Sequence, residues 1–253
     1  MTSAIKERAK NVLHKLFTFC ARDLDLAAAS GPSLVIAPHP DDESLGCGAS
    51  IAQLRARGER VRIVIVTDGA AAGQSAIIGP EKLSSLRHKE AEQAAGALGL
   101  ADGDLIFLQF PDAHTQEQEA AIEAALCEQI RSLNPKRIFS PYGVDGHLDH
   151  RVIAAAIDRL DAKGIIACPV YEYPIWFWSA HAVGHLLQPH KLTRLRRVAA
   201  GTFLAAKTPA IAAPQSQFQA PTDEAGWFSF PPGFLSRFLT PFELFFEKPL
   251  RKG

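Results

Sequence analysis

Apolar positions along this chain recur with two alternating patterns. Short runs rich in consecutive apolar residues predict buried strands over 34–37, 61–67, 105–110, 137–140 and 165–173. The clearest is Val61 to Thr67, where β-branched residues dominate. Between these runs, helical spacing predicts helices over 45–57, 81–98, 116–133 and 149–163. Gly58, Gly99 and Gly164 close three of them, and Pro135 follows the end of the fourth. A leading helix is predicted over about 4–28, with Val12, Leu13, Leu16 and Phe17 spaced for one face and Ser30-Gly31-Pro32 as its stop. Alternating strand and helix predicts an α/β fold with a mostly parallel sheet. Right-handed crossovers then gather the loops at the strand carboxyl ends along one edge.

Beyond residue 174 the pattern loses regularity. Lys191, Arg194, Arg196 and Arg197 make a basic stretch, and Trp227, Phe228, Phe230, Phe234, Phe238, Phe242, Phe245 and Phe246 an aromatic one. Pro231-Pro232 and Pro241 break the aromatic stretch into short pieces. We therefore read it as a cap packed on the domain, in preference to a membrane-surface helix. The expected organisation is a helical extension over 1–31 and one domain over 32–253, with 174–253 as its cap.

At 253 residues the chain can bury a core without disulfide staples. Its 27 basic and 27 acidic side chains balance, which, taken over the whole chain, removes the usual electrostatic ground for a nucleic-acid or anionic-membrane partner. Cys20, Cys47, Cys127 and Cys168 form no CxxC pair, which fits a reducing cytoplasm. Lys6, Arg8 and Lys10 precede an apolar stretch that His14 and Lys15 interrupt, a poor signal peptide. No apolar run is long enough to span a bilayer.

Two charged clusters change this picture. Ala37-Pro38-His39-Pro40-Asp41-Asp42-Glu43 follows the first strand, and Gly146-His147-Leu148-Asp149-His150 follows the fourth. Both lie on strand-to-helix loops of the same edge, so they can meet. His39, Asp42 and His150 make a three-ligand set that leaves a coordination position open, as catalytic metal sites do. Imidazole suits zinc or iron(II) better than magnesium. Asp41 is free to act as a base on a metal-acidified water. His147, as an imidazolium, could donate to an oxyanion or a leaving amine. Asp149 could fix a histidine tautomer, and Glu43 could hold the loop. Gly46-Cys47-Gly48 fails as a dinucleotide fingerprint because Ile51 stands where Gly or Ala is needed; its small residues suit close helix–strand packing. Gly73 to Ile77 lacks the second glycine of a serine-hydrolase elbow.

With these motifs the chain resembles the LmbE-like, or PIG-L, family of metal-dependent N-acetylglucosamine deacetylases. The similarity runs over about 32–180, with echoes in Lys207 to Gln217 and Leu235 to Phe246. The resemblance implies a Rossmann-like, three-layer α/β/α fold with an irregular aromatic-rich C-terminal segment. It implies His39, Asp42 and His150 as zinc ligands, with iron(II) as the other candidate, and Asp41 as general base. His147 would stabilise the oxyanion, with Asp149 tuning the histidine beside it. It adds Arg87 near substrate and Asp112 reaching sugar hydroxyls. Asp145 stands where some members carry a tyrosine, which leaves Tyr142 as the nearby substitute, and Ala113 stands where glycine is usual. The expected reaction is hydrolysis of an N-acetyl group from an amino sugar or its conjugate. The alternatives are a metal-dependent hydrolase of another amide, ester or phosphoester, or a non-catalytic metal-binding protein.

Overall fold

The computed structural model describes residues 3–72, 78–178, 180–186, 188–219, 227 and 229–249. The Gly73 to Ile77 segment and Phe228 lie outside them. In chain order the elements are α1 (Ser3–Cys20), β1 (Arg22–Asp23), β2 (Ser33–Ala37), α2 (Asp42–Ala56), β3 (Val61–Thr67), α3 (Pro80–Ala97), β4 (Leu105–Phe110), α4 (Glu119–Leu133), β5 (Arg137–Pro141), α5 (Leu148–Ala162), β6 (Val170–Tyr173), α6 (Ala180–Leu186), α7 (Pro189–Leu192), β7 (Leu195–Ala199), α8 (Leu204–Ala212) and β8 (Phe242–Lys248).

One sheet runs β1-β7-β8-β6-β5-β2-β3-β4. Its pairings are parallel except those of β8, which is antiparallel to both β6 and β7. The order β4-β3-β2-β5-β6 is the doubly wound one, with β2 and β5 flanking the point where the winding reverses. Strand residues alternate between two cores. Val35, Ile63 and Ile65 pack with α2, α3 and α8, while Leu34, Ile36, Val64 and Val66 pack with α4 and α5. A strand covered on both faces must be apolar at successive positions, which is why these segments read as unbroken runs.

The differences from expectation have local causes. Helix α2 starts at Asp42, ahead of the expected Leu45, because Asp42 and Glu43 suit the positive end of a helix. Strand β6 starts only at Val170, after Pro169, which has no ladder N–H to give. The leading helix ends at Cys20, and its expected single face splits: Phe17 is buried, whereas Val12 and Leu16 are exposed. The C-terminal segment is more regular than expected, since β8 enters the central sheet and buries Phe245 and Phe246. Phe234 and Phe238 pack into the core beside Phe245.

The small residues of α2 serve close packing. A Cβ added at Gly46 would stand 2.4 Å from Tyr173 Cδ2 and 2.6 Å from its Cγ. The Tyr173 ring cannot retreat, because it is buried and its hydroxyl donates to the Ile36 carbonyl at 2.7 Å. Gly46→Ala should therefore destabilise the fold by about 1–3 kcal/mol despite alanine's better helix propensity. Urea denaturation measures it; an unchanged or raised midpoint would refute the packing argument.

His14 gives a pH dependence. Burial, then the nearby Arg237 and Lys207 charges, push its pKa down from 6.5 to about 3. The unfolded chain thus binds this proton first, so His14's contribution is complete above pH 6.5 and is lost as pH falls towards 3. The slope from this one group is at most about 1.4 kcal/mol per pH unit. Stability of His14→Phe measured between those limits should fall less steeply than that of the parent.

Candidate active site

The winding reversal brings the β2–α2 and β5–α5 loops to one crevice. Thr67 of β3 pins the first loop by donating its N–H and hydroxyl to the Pro38 carbonyl at 3.0 and 2.8 Å. The His39 N–H donates to Asp42 Oδ2 at 3.0 Å, and the Asp41 N–H to Glu43 Oε2 at 3.1 Å. Glu43 therefore holds the loop, the place the sequence suggests. In the second loop Asp145 Oδ1 accepts from the His147 N–H at 3.1 Å. Its Oδ2 accepts from the Ile175 and Trp176 N–H groups, both at 2.9 Å.

His39, Asp42 and His150 converge. Asp42 Oδ2 stands 3.1 Å from His39 Nδ1 and 3.2 Å from His150 Nε2. His39 Nε2 meets Asp112 Oδ1 and Asp149 Oδ2, each at 3.1 Å. Asp149 is thus nearer to His39 than to His147, whose Nδ1 is 3.9 Å away. Thr115 and the Ala113 N–H also bond Asp149, at 2.6 and 3.2 Å. Ala113 adopts the left-handed region at φ 65°, the conformation glycine would take more readily. Arg87 is buried: Nη2 donates to Asp41 Oδ2 at 3.1 Å and Nη1 to the Gly69 carbonyl at 3.0 Å. Tyr142 does not reach the site; it bonds His185 and stacks on Phe246 at 4.1 Å.

The titration states follow from burial set against neighbours. Burial raises Asp41 to about 6, although the Arg87 charge works the other way. Burial likewise raises Glu43 to about 7. Burial alone would lower His39, but its hydrogen bonds to Asp112, Asp149 and Asp42 outweigh it and raise the pKa well above 6.5. Burial favours the neutral form of Asp42, but the His150 and His39 charges hold its pKa down. His147 is lowered to about 4, by burial first and then by His39 and His150. The imidazolium expected for His147 is therefore disfavoured, and a neutral ring with one N–H is the available donor.

These residues fit a divalent cation. Asp41, Asp42, Glu43, Asp112, Asp145 and Asp149 are all buried here, and among the described residues Arg87 is the one arginine or lysine paired with any of their carboxylates. Such an excess of buried anionic groups is costly without a compensating cation. His150 Nδ1 and His147 Nδ1 are buried with no hydrogen-bond partner among the described residues, and His150 Nε2 has only the Asp42 carboxylate beside it, at 3.2 Å. Among the described residues, His39, His147 and His150, and separately His39, Asp112 and Asp149, offer ligand atoms within 4.8 Å of one another.

The cluster opens into a cavity of about 500 Å³. Asp41, Arg87, Asp112 and His147 line it, together with Trp176, Gln217 and Phe230. The last three, with Asp145 and Thr115, were missed from sequence. Asp145 could have been suspected, because it sits two residues before His147 and at the end of a strand-following loop.

Fold and site together define a doubly wound α/β protein with a candidate histidine–carboxylate metal centre at its switch point. The chain belongs to the PIG-L family: the family model described as GlcNAc-PI de-N-acetylase matches residues 34–160, half of the chain. It is 29% identical over 208 residues to the 1D-myo-inositol 2-acetamido-2-deoxy-alpha-D-glucopyranoside deacetylase of Nocardia farcinica, covering 70% of this chain and 66% of that one. The chain spans 66% of the length of that relative and 64% of two others, the deacetylase YaiS of Escherichia coli and a probable N-acetyl-alpha-D-glucosaminyl L-malate deacetylase 2 of Bacillus cereus, just under two thirds in each case. The fold is also that of N,N'-diacetylchitobiose deacetylase from Pyrococcus horikoshii, with a TM-score of 0.63, 21% identity and coverage of 83% of this chain and 78% of that one. GalB, a 4-carboxy-2-hydroxymuconate hydratase from Pseudomonas putida, shares it at a TM-score of 0.59, with 18% identity and 82% coverage of both chains. The architecture alone therefore does not select the reaction, and the site must.

Proposed function

We propose that this chain hydrolyses the N-acetyl group of an N-acetylglucosamine-type sugar or its conjugate, releasing acetate and a free amine. One observation carries the reading: a buried carboxylate, Asp41, faces the same cavity as the imidazole–carboxylate cluster and is oriented by Arg87 and Glu43. A purely structural metal site needs no such base. The PIG-L match and the Nocardia farcinica relative support an acetamido sugar as substrate.

His39, Asp42 and His150 would hold the cation, and zinc suits this donor set better than magnesium, with iron(II) next. When bound, it supplies Lewis-acid polarisation and acidifies water. Asp41 accepts the proton of the attacking water, and its raised pKa makes it a stronger base than a solvated aspartate. Arg87 keeps that carboxylate in place. His147 presents its ring to the cavity, where an N–H can donate to the developing oxyanion. The proton on Asp41 then returns to the sugar nitrogen as the C–N bond breaks. Asp112 lines the cavity and could accept from sugar hydroxyls. Trp176, tilted against Phe234 with ring centroids 4.6 Å apart, and Phe230, stacked on it at 4.7 Å, offer an apolar wall for a sugar ring or aglycone. The free cysteines Cys20, Cys47, Cys127 and Cys168 fit a reducing cytoplasm.

The test is a panel of N-acetylated amino sugars and conjugates offered to the zinc-loaded protein, scoring acetate and free amine. Release from at least one, abolished by chelation and restored by zinc, supports the reading. Release of acetate only from O-acetyl esters would move the activity to another hydrolase class.

A further inference from the structure

Helix α1 is apolar on two opposite faces. Its inner face seats Phe17 against Phe177 and Trp178, with ring centroids 5.6 Å apart in both pairs. The inner face is also tied to the chain near the cavity wall. Asn11 donates to Ser236 at 2.9 Å, and Arg237, whose guanidinium lies 5.0 Å over the Phe234 ring, donates to Glu7 at 2.6 Å. Facing away are Ile5, Val12, Leu16 and Phe19, with 51, 66, 41 and 83% of their surface exposed. Among the described residues they are four of the seven large apolar side chains that are exposed, so this exposed apolar surface is concentrated on one element. Their spacings of seven, four and three residues place them within an arc of roughly 60° and along about 21 Å of the helix. Scattered exposed apolar residues need no explanation, but an aligned stripe does.

The flanks are cationic. Arg8 and Lys15 border the stripe on one side and Lys6 lies on the other, all exposed. Glu7, the only acid in the helix, is buried and paired with Lys10 and Arg237. Pairing two copies of this chain through the stripe would bring the same cations together with no free acid between them, which repels. An anionic surface complements the whole arrangement. We propose that α1 is a membrane-surface anchor: its outer stripe enters the headgroup boundary of an anionic bilayer while Lys6, Arg8 and Lys15 sit among the phosphates. It lies on the bilayer and does not cross it; no helix of the described residues is long and apolar enough to span a membrane. The aromatic stretch at the other end of the chain is not involved, since Phe234, Phe238, Phe245 and Phe246 are buried.

The experiment is co-sedimentation of the full chain with phosphatidylcholine vesicles, with and without phosphatidylglycerol. Binding to the anionic vesicles alone, weakened by added salt, is expected. Leu16→Ser/Phe19→Ser should lower partitioning at least about tenfold. Arg8→Gln/Lys15→Gln should lower it about 25-fold, at roughly fivefold per cation. Circular dichroism and thermal unfolding of both variants should match the parent, since the altered side chains face outward. No sedimentation, equal sedimentation with neutral vesicles, or binding indifferent to the stripe variant would overturn the proposal. A dimer seen by light scattering and abolished by Leu16→Ser/Phe19→Ser would also overturn it, by assigning the stripe to a second copy. None of these readouts depends on the deacetylase reading.

Discussion

Asp41→Asn should lower kcat/KM by about 10²–10⁴ while zinc content stays at the parental level. Asparagine keeps the volume and can still offer an oxygen to Arg87 Nη2, which donates to Asp41 at 3.1 Å. It cannot take a proton. The helix-starting turn should survive, because Asp42 and Glu43 receive the loop's own N–H bonds from His39 and Asp41. Two further variants separate the roles. His150→Ala should lose both metal and activity, since its ring lies 3.2 Å from Asp42 in the heart of the cluster. His147→Ala should keep its metal and lose about 10²–10³ in kcat, the usual cost of one oxyanion donor. Metal analysis beside steady-state kinetics decides among them. Full activity in Asp41→Asn would favour a metal-binding protein without this chemistry, and equal metal loss in the two histidine variants would refute the division between ligand and donor.

What the sequence conveyed about this site depended on distance along the chain. His39 to Glu43 lies within one turn and after one strand, so its meaning was local. That the His147 to His150 loop would join it required only the parallel alternation of strands and helices, because loops after β2 and β5 share the edge where the winding reverses. Asp145 was different. Its value lies in accepting the N–H groups of Ile175 and Trp176, about thirty residues later, and no spacing rule announces such a bond. Tyr142 illustrates the converse. Its position near the motif suggested a catalytic hydroxyl, yet packing against Phe177 and Phe246 turns it into a different apolar cluster. Strand β8 was hidden because aromatic density near Pro241 reads equally well as a loose cap. Its membership in the sheet depends on partners in β6 and β7 that lie far back in the chain.

The second large effect concerns a buried ion pair beneath the metal-site helix. Lys207 Nζ lies 2.6 Å from Glu243 Oε1, with both side chains about 1% exposed. Glu243 also accepts from the N–H groups of Ala49 and Ser50 and from the Ser50 hydroxyl, at 2.7, 2.8 and 2.6 Å. Lys207 donates to the Leu45 carbonyl at 2.8 Å, the oxygen that a regular helix would pair with the Ala49 N–H. The pair thus grips α2 from the cap side, one to two turns beyond Asp42. Lys207→Met should leave a buried carboxylate without its counter-charge and cost about 3–5 kcal/mol. Glu243→Gln strands the ammonium in the same way. The double variant Lys207→Met/Glu243→Gln should be markedly less destabilised than the sum of the singles, because neither charge is then left alone. Urea denaturation of the four proteins closes the cycle. Strictly additive singles, or a Lys207→Met variant within about 0.5 kcal/mol of the parent, would show that the helix holds its place without the pair. If the pair does hold it, the destabilised singles should also lose zinc at lower urea than they unfold, since Asp42 rides on the first turn of the element they loosen.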